Sequence, residues 1–223
     1  MQYAHKLMGN DELSKKHSYS IMADEGRMDS FNEFMFGKFW KDGKTPVHLK
    51  GLGYDMDAAL SGIKGPDKIV DIGGSHGNLL MEFKNAYPEL SPERLIVQDY
   101  YASVDSIPGM QLMKWDFKDR SPQPVQGACI YILQHILHNI PDLEATALVQ
   151  KTAAAMNADS RLLIIEYTKN TTNVPMHATM ITLYGGRERS SPEWNQMAAL
   201  CGLKVTFEAY PDMGECLVEM RKA

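Results

Sequence analysis

A glycine-rich turn at residues 73–77 has the residue types best suited to binding a ligand. It follows the apolar run 68–72 and precedes apolar residues at helical spacing, which predicts a strand-to-helix turn. Glycines there let the backbone approach a ligand and direct amide groups at its polar atoms. Asp99 lies 22 residues beyond Gly77, at the end of the next predicted strand, where Rossmann-type folds place a carboxylate on ribose hydroxyls. The pair predicts a site for a ribose-containing ligand.

The same turn also fits the G-x-S-x-G pattern of serine hydrolases. Ser75 would then be the nucleophile, with Asp116 and His138 following in the order that such enzymes use. A hydrolase nucleophile normally follows several strands, whereas the residues before Lys68 have helix and loop patterns. The hydrolase interpretation also leaves Asp99 without a role. We therefore interpret Ser75 as a small polar turn residue.

Strand and helix patterns alternate from Lys68 onward. Strands are predicted at 68–72, 95–98, 110–114, 128–133, 162–166, 203–209 and 215–220, and helices at 78–87, 143–156 and 192–200. This alternation predicts an α/β fold, a mostly parallel sheet covered by helices on both faces in three layers. The short connection 211–214 between the last two strands predicts that the final strand is antiparallel.

The front of the chain is rich in Met and Phe, and its boundary with the α/β body is predicted near Gly65-Pro66. Residues 1–64 would form a helical segment and residues 65–223 the ligand-binding domain. Apolar side chains recur there at helical spacing, at Met28, Phe31, Phe34, Met35, Phe39 and Trp40. Packing onto the body is the simpler interpretation of this helix face. The alternative is that the face also walls a ligand pocket or contacts a second protein.

The composition is that of an ordinary globular protein. The chain has 223 residues, 44% of them hydrophobic and 23% charged, which suits one domain with an appendage. Its net charge of −5 and its lack of a basic cluster argue against a nucleic-acid partner. Its 3 cysteines lack C-x-x-C spacing, so neither disulfides nor a zinc site is predicted. With no membrane-length apolar run and no secretion-type start, we expect a cytoplasmic protein with a small-molecule partner.

Several segments together resemble the S-adenosylmethionine-dependent O-methyltransferases of the plant caffeate type, particularly their fungal relatives. They are the glycine turn, Asp99, the run Tyr-Ile-Leu-Gln-His-Ile-Leu-His-Asn-Ile-Pro-Asp at 131–142 and the run Gly-Gly-Arg-Glu-Arg-Ser at 185–190. The resemblance covers about residues 68–220. It implies a Rossmann-like seven-stranded methyltransferase fold, S-adenosylmethionine as cofactor, and methylation of a small phenolic or enolic secondary metabolite.

The resemblance implies a set of cofactor-binding residues. They are Gly73, Gly74, Ser75, Gly77, Asp99, Tyr100, Asp116, Phe117 and Gln134. The glycines would hold the methionine end and Asp99 the ribose. Asp116 and Phe117 match the pair that holds adenine, because a carboxylate accepts from its amino group and an aromatic ring covers its face. Gln134 stands where the family often has lysine.

The resemblance also implies that His138 is the general base, flanked by Glu166 and Glu188. An imidazole with an ordinary pKa of about 6.5 is largely neutral at pH 7 and can accept a proton. The carboxylates would orient the ring and stabilise its charged form. His135 is the rival base, and no metal is expected. The implied substrate-binding residues are Met35, Phe39, His135, Asn139, Met176 and Met180.

Departures from the family pattern keep alternatives open. Asn139 stands where the family usually has Asp. Relatives also carry a long helical dimerisation domain ahead of the catalytic domain, whereas about 65 residues precede the first predicted strand here. Either the front helices or a partner protein would then enclose the acceptor, and the front helices would contact a second copy of the chain or a partner protein. The alternative functions are an enzyme that uses bound S-adenosylmethionine for a dehydration or pericyclic cyclisation, and a catalytically idle partner subunit.

Overall fold

The computed structural model describes residues 1–39, 44–61, 67–100 and 106–223. The predicted domain boundary near Gly65-Pro66 lies outside the described residues, as do Trp40 and the side chain of Phe39. Within the described ranges, no helix is both long enough and apolar enough to cross a membrane.

Seven strands form one sheet at the centre of the molecule. They are β1 (Ile69–Ile72), β2 (Leu95–Asp99), β3 (Gln111–Lys114), β4 (Ile130–Gln134), β5 (Arg161–Tyr167), β6 (Leu203–Ala209) and β7 (Glu215–Lys222), in the order β3-β2-β1-β4-β5-β7-β6. β1 to β5 pair in parallel, and β7 is antiparallel to both of its neighbours. The predicted α/β fold with an antiparallel last strand is confirmed.

Helices occupy the front region and the connections of the sheet. The front helices are α1 (Gln2–Leu7), α2 (Ser18–Asp24), α3 (Met28–Phe39), α4 (Lys44–Gly51) and α5 (Met56–Ser61). The helices of the body are α6 (Asn78–Ala86), α7 (Asp142–Ala155), α8 (Val174–Thr179) and α9 (Ser191–Leu200). A π-helical turn (Met180–Tyr184) continues α8. The sequence predicted α3, α6, α7 and α9 and missed the short helices, which offer too few turns for a hydrophobic period.

The two faces of the sheet have separate hydrophobic cores. Alternate side chains of a strand point to opposite faces, so Val70 packs with Trp194 of α9 on one face. Ile69 packs on the other face with Phe83 of α6 and Leu49 of α4. Because both faces are covered, all four residues of β1 are buried, as is usual for a central parallel strand. The predicted three layers are therefore present.

The front region is attached to the body close to the carboxyl ends of the parallel strands. The Nε2 atom of His17 lies 3.1 Å from the carbonyl oxygen of Asn139, which follows β4. The hydroxyl of Ser18, the first residue of α2, donates to the carbonyl of Leu183 in the π-helical turn. These two contacts fix the start of α2 over the edge of the sheet where α/β proteins bind ligands.

Candidate active site

The glycine turn after β1 adopts backbone angles that favour glycine. Gly73 and Gly77 have φ angles of 77° and 75°, in the left-handed region that glycine adopts without strain. A Cβ atom on Gly74 would overlap the carboxylate of Asp71. The backbone N–H of Ser75 donates to Oδ2 of Asp99 over 2.9 Å. The turn is thus held open beside two carboxylates.

Asp71 is a site residue that the sequence analysis missed. Its side chain is 2% exposed, and its Oδ2 atom is buried without a hydrogen-bond partner in the described part of the chain. Burial, and then the charge of Asp99, raise its pKa to about 7. The sequence does contain a sign of this site, because Asp71 is an acidic residue within the otherwise apolar run Ile-Val-Asp-Ile. A buried carboxylate oxygen without a partner among the described residues, beside an open turn, suits a cationic ligand.

A cavity of about 220 Å³ lies beside the glycine turn, and we call it the turn cavity. The predicted cofactor residues that line it are Gly73, Gly74, Ser75, Asp99, Tyr100, Asp116, Phe117 and Gln134. Gly77 is not among the residues that line it. It has a left-handed backbone conformation and lies directly before the first residue of α6. Asp71 completes the acidic side of the wall. The structure therefore gathers into one cavity residues that are far apart in the sequence, since Asp71 and Gln134 both line it.

His138 lies in a buried cluster with two carboxylates. Its Nδ1 atom is 2.8 Å from Oε1 of Glu188 and 3.2 Å from Oε2 of Glu166. The other oxygen of Glu166 accepts from the backbone N–H groups of Leu137 (2.8 Å) and His138 (3.2 Å). Glu166, at the end of β5, therefore holds the loop that carries His138. Because the carboxylates occupy Nδ1, a proton taken from a ligand would be accepted at Nε2.

Burial makes the two carboxylates of this cluster harder to ionise. Desolvation, and then the charge of Glu188, raise the pKa of Glu166 well above its usual range. Desolvation raises the pKa of Glu188 to about 7, against the opposing charge of Arg189. Only an ionised carboxylate favours a positive charge on the imidazole beside it. The cluster therefore stabilises a protonated His138 to the extent that Glu166 or Glu188 has lost its proton.

His135, the rival base, is held by a different carboxylate. Its Nε2 atom lies 2.6 Å from Oε1 of Glu215 on β7, and its φ angle of 54° is unusual for a non-glycine residue. The side-chain amide of Asn139 donates to the His135 carbonyl over 2.6 Å. Candidate ligand atoms of His135, His138 and Glu166 lie within 4.8 Å of one another. Their contacts with Glu188 and Glu215 form a hydrogen-bonded network, and the absence of a metal requirement stays a prediction.

A second cavity, of about 380 Å³, lies over His138, and we call it the aromatic cavity. The predicted substrate residues Met35, His135, Asn139, Met176 and Met180 all line it, together with Tyr19, Tyr167 and Tyr184, which the sequence analysis did not identify. Tyr19, Phe31, Met35, His135 and Asn139 line both cavities. The two cavities therefore adjoin, with the front helices α2 and α3 providing part of the common wall.

The hydrolase triad considered for the sequence is not assembled. The hydroxyl of Ser75 lies 3.0 Å from Nδ1 of His76. Asp116 accepts from the backbone N–H of Lys118 over 2.9 Å, in a local turn of the kind that Asp commonly makes. Ser75 is thus paired with His76, and His138 with Glu166 and Glu188, which is not the triad that the pattern predicted.

Comparison with known proteins identifies relatives among fungal O-methyltransferases. The O-methyltransferase aunE of Aspergillus niger is 50% identical over 225 residues, which cover 99% of this chain and 58% of that relative. The demethylsterigmatocystin 6-O-methyltransferase stcP of Emericella nidulans is 32% identical over 191 residues, covering 75% of this chain and 92% of that relative. The chain thus spans less than two thirds of the length of the more similar relative.

Solved structures share the fold. An O-methyltransferase from neocarzinostatin biosynthesis (NcsB1), in complex with S-adenosylmethionine and 2-hydroxy-5-methyl naphthoic acid, is 27% identical with a TM-score of 0.74, covering 92% of this chain and 60% of that chain. A pericyclic reaction enzyme is also 27% identical, with a TM-score of 0.67, covering 76% of this chain and 47% of that chain. The O-methyltransferase domain family matches residues 53–204, and the chain belongs to this family.

Proposed function

We propose that this chain binds S-adenosylmethionine in the turn cavity and methylates a hydroxyl of a small phenolic or enolic metabolite in the aromatic cavity. The observation that carries the proposal is the position of His138, whose ring is buried against two carboxylates and lines the aromatic cavity, directly beside the turn cavity. Membership of the O-methyltransferase family and the named fungal relatives support it.

The residues of the turn cavity fit this cofactor. A methionine-type ammonium and a sulfonium are both cations, and Asp71 and Asp99 place two carboxylates at the glycine turn. Asp99 would accept from ribose hydroxyls, while Asp116 and Phe117 would hold the adenine. When bound, S-adenosylmethionine supplies an electrophilic methyl group on sulfur. The common wall of the two cavities would bring the acceptor within reach of that group.

His138 would act on the proton of the acceptor hydroxyl. The neutral imidazole accepts this proton at Nε2 while the hydroxyl oxygen becomes the nucleophile. Glu188 and Glu166 hold Nδ1, which fixes the orientation of the ring and offsets the charge that it gains. The apolar lining of the aromatic cavity would keep water from competing for the methyl group.

A second candidate is a reaction that retains the methyl group on the cofactor. It is favoured by the similarity to the pericyclic reaction enzyme. A bound sulfonium would then assist a dehydration or a cyclisation electrostatically.

The oligomeric state is a separate proposal. Phe34 on α3 is 61% exposed, and the front helices would contact a second copy of the chain or a partner protein.

Tritium transfer tests the proposed function. The chain would be incubated with methyl-tritiated S-adenosylmethionine and a panel of hydroxynaphthoic acids and other polycyclic phenols, with His138→Ala as the control. We expect labelled product from the unsubstituted chain and almost none from the variant. Product that forms only with cofactor but carries no label would support the non-methylating reaction. Absence of cofactor binding by calorimetry would refute both and leave the idle subunit.

A further inference from the structure

His177 on α8 joins the wall of the aromatic cavity to the catalytic cluster. Its neighbours on the same segment, Met176 and Met180, line the cavity. Its own Nδ1 atom lies 3.2 Å from the backbone nitrogen of Glu188 and accepts that N–H. Acceptance at Nδ1 requires a neutral ring with its proton on Nε2. The imidazole is thus the link between the cavity wall and the residue that contacts His138.

The contacts form a continuous chain toward the proposed base. From His177 the chain passes through the Glu188 backbone to the Glu188 carboxylate, whose Oε1 lies 2.8 Å from Nδ1 of His138. Glu188 is 1% exposed, so its backbone N–H has no access to bulk water and depends on a protein acceptor. Gly186, two residues before it, cannot carry a side chain, because a Cβ there would overlap the His138 carbonyl. The segment therefore packs tightly against the loop of His138.

We propose that His177 is a positioning residue that holds the Glu188 carboxylate against His138, so that occupation of the aromatic cavity and alignment of the base are coupled through α8. The proposal rests on the proposed function only in assigning His138 as the base. Loss of the link would free Glu188 to leave Nδ1 without removing any residue that touches a ligand.

The charged surroundings of His138 determine what loss of the link would change. Glu166 reaches the ring from β5, and Glu188 and Arg189 approach from the segment before α9. The ring of His135 is tilted against that of His138 at a centroid distance of 5.3 Å, and its Nε2 atom contacts Glu215 of β7. Only Glu188 among these groups is tethered through His177. Displacing the Glu188 carboxylate removes one negative partner from the ring, so the pKa of His138 should fall.

Four variants separate positioning from general structural support. His177→Asn keeps an acceptor atom on the γ carbon, close to the position of Nδ1, whereas His177→Gln moves it one methylene further and His177→Ala removes it. Val174→Ala, on the exposed first turn of α8, is the matched control for trimming this helix. The asparagine and glutamine variants have similar polarity, which keeps the test valid even if the alanine variant does not fold.

The measurement is the pKa of His138 by NMR of the protein with ¹⁵N-labelled imidazoles, with His138→Gln used to assign the signal. We expect a fall of about 1 in His177→Ala and His177→Gln, since an opposite charge nearby shifts a pKa by about 1–3. His177→Asn and Val174→Ala should stay near the unsubstituted value. An unchanged His138 pKa in both the alanine and glutamine variants would overturn the proposal, as would an asparagine variant indistinguishable from glutamine.

This readout needs no acceptor, so it is independent of the proposed function. If His138 responds as expected but the unsubstituted chain transfers no tritium, the positioning role stands and the methyltransferase proposal fails. If tritium is transferred and His138 does not respond, the positioning role fails alone. In an active chain, His177→Ala should lower kcat by about tenfold with cofactor affinity unchanged, corresponding to about 1.4 kcal/mol in the transition state.

Discussion

Removing the charge of Asp71 should remove the pH dependence of cofactor binding. Asp71 is buried beside Asp99, and its pKa is raised to about 7. A cationic ligand stabilises the ionised carboxylate, so affinity should rise with pH through this value. About one tenth of Asp71 is ionised at pH 6 and about nine tenths at pH 8, which predicts about tenfold tighter binding at pH 8.

The substitution Asp71→Asn fills the same space without the charge. At pH 8 it should weaken S-adenosylmethionine binding about 10- to 100-fold, because hydrogen bonds to charged groups contribute about 1.5–3 kcal/mol. At pH 6 the loss should be much smaller, since most Asp71 is already neutral there. Asp116→Asn is the control within the same cavity. We expect it to weaken binding without changing the pH dependence.

Isothermal titration calorimetry from pH 5.5 to 8.5, in two buffers of different ionisation enthalpy, measures affinity and proton release together. Binding at pH 6 should release about 0.9 of a proton from the unsubstituted chain and much less from Asp71→Asn. An affinity that is flat between pH 6 and pH 8 would show that the ligand does not interact with this carboxylate. Equal proton release by the variant would assign the titration to another group.

The raised pKa of Asp71 also affects the stability of the fold, which can be measured without ligand. A carboxyl whose pKa is raised by folding binds a proton more tightly in the native state, so it destabilises the fold increasingly as pH rises from about 4 to 7. Asp71→Asn should therefore raise the melting temperature at pH 8 and leave it nearly unchanged at pH 4. A lower melting temperature at pH 8 would show that the charge is stabilised by contacts other than those described.

Other substitutions test the turn and the base separately. His138→Ala should lower methyl transfer about 10²- to 10⁴-fold with cofactor affinity nearly intact, and equal activity would remove the base assignment. Gly74→Ala should abolish cofactor binding, because its Cβ would overlap the Asp71 carboxylate, whereas Gly37→Ala, which meets no atom within 4 Å, should bind normally in the same titration. Glu166→Ala leaves two backbone N–H groups without their acceptor. It should lower the free energy of unfolding in urea by about 2–6 kcal/mol, at about 1–3 kcal/mol for each group. A decrease below about 1 kcal/mol would show that water replaces the carboxylate.

The sheet was predictable because its strands are short apolar runs bounded by turn residues. Each of the seven predicted strands is present, with shifts of one or two residues at several ends. The carboxyl ends of parallel strands meet at one edge, so the turn after β1 and Asp99 after β2 were expected to be neighbours. The hydrogen bond between Ser75 and Asp99 joins them. The strand pattern and the sheet topology were therefore sufficient to predict that the glycine turn and Asp99 are neighbours.

The aromatic cavity was less predictable because long-range contacts form it. Tyr19 has no periodic partner in the sequence, and it lies in the cavity wall because His17 and Ser18 anchor α2 to distant loops. Residues three positions apart, such as His135 and His138, share one face of a helical segment. The structure instead has a 3₁₀ turn over residues 137–139 and a left-handed His135. The imidazoles are neighbours there through tertiary packing, which the spacing did not encode.

The wall shared by the two cavities makes their occupants energetically interdependent. Tyr19 packs edge-on against Phe31, with ring centroids 5.5 Å apart, and both side chains face both cavities. A molecule that presses on one side of this aromatic pair changes the surface offered to the other side. Linkage then requires each occupant to alter the affinity for the other by the same factor. If the proposed function holds, we expect the dissociation constant of an acceptor to differ between the chain with S-adenosylmethionine, the chain with its demethylated product and the chain with neither.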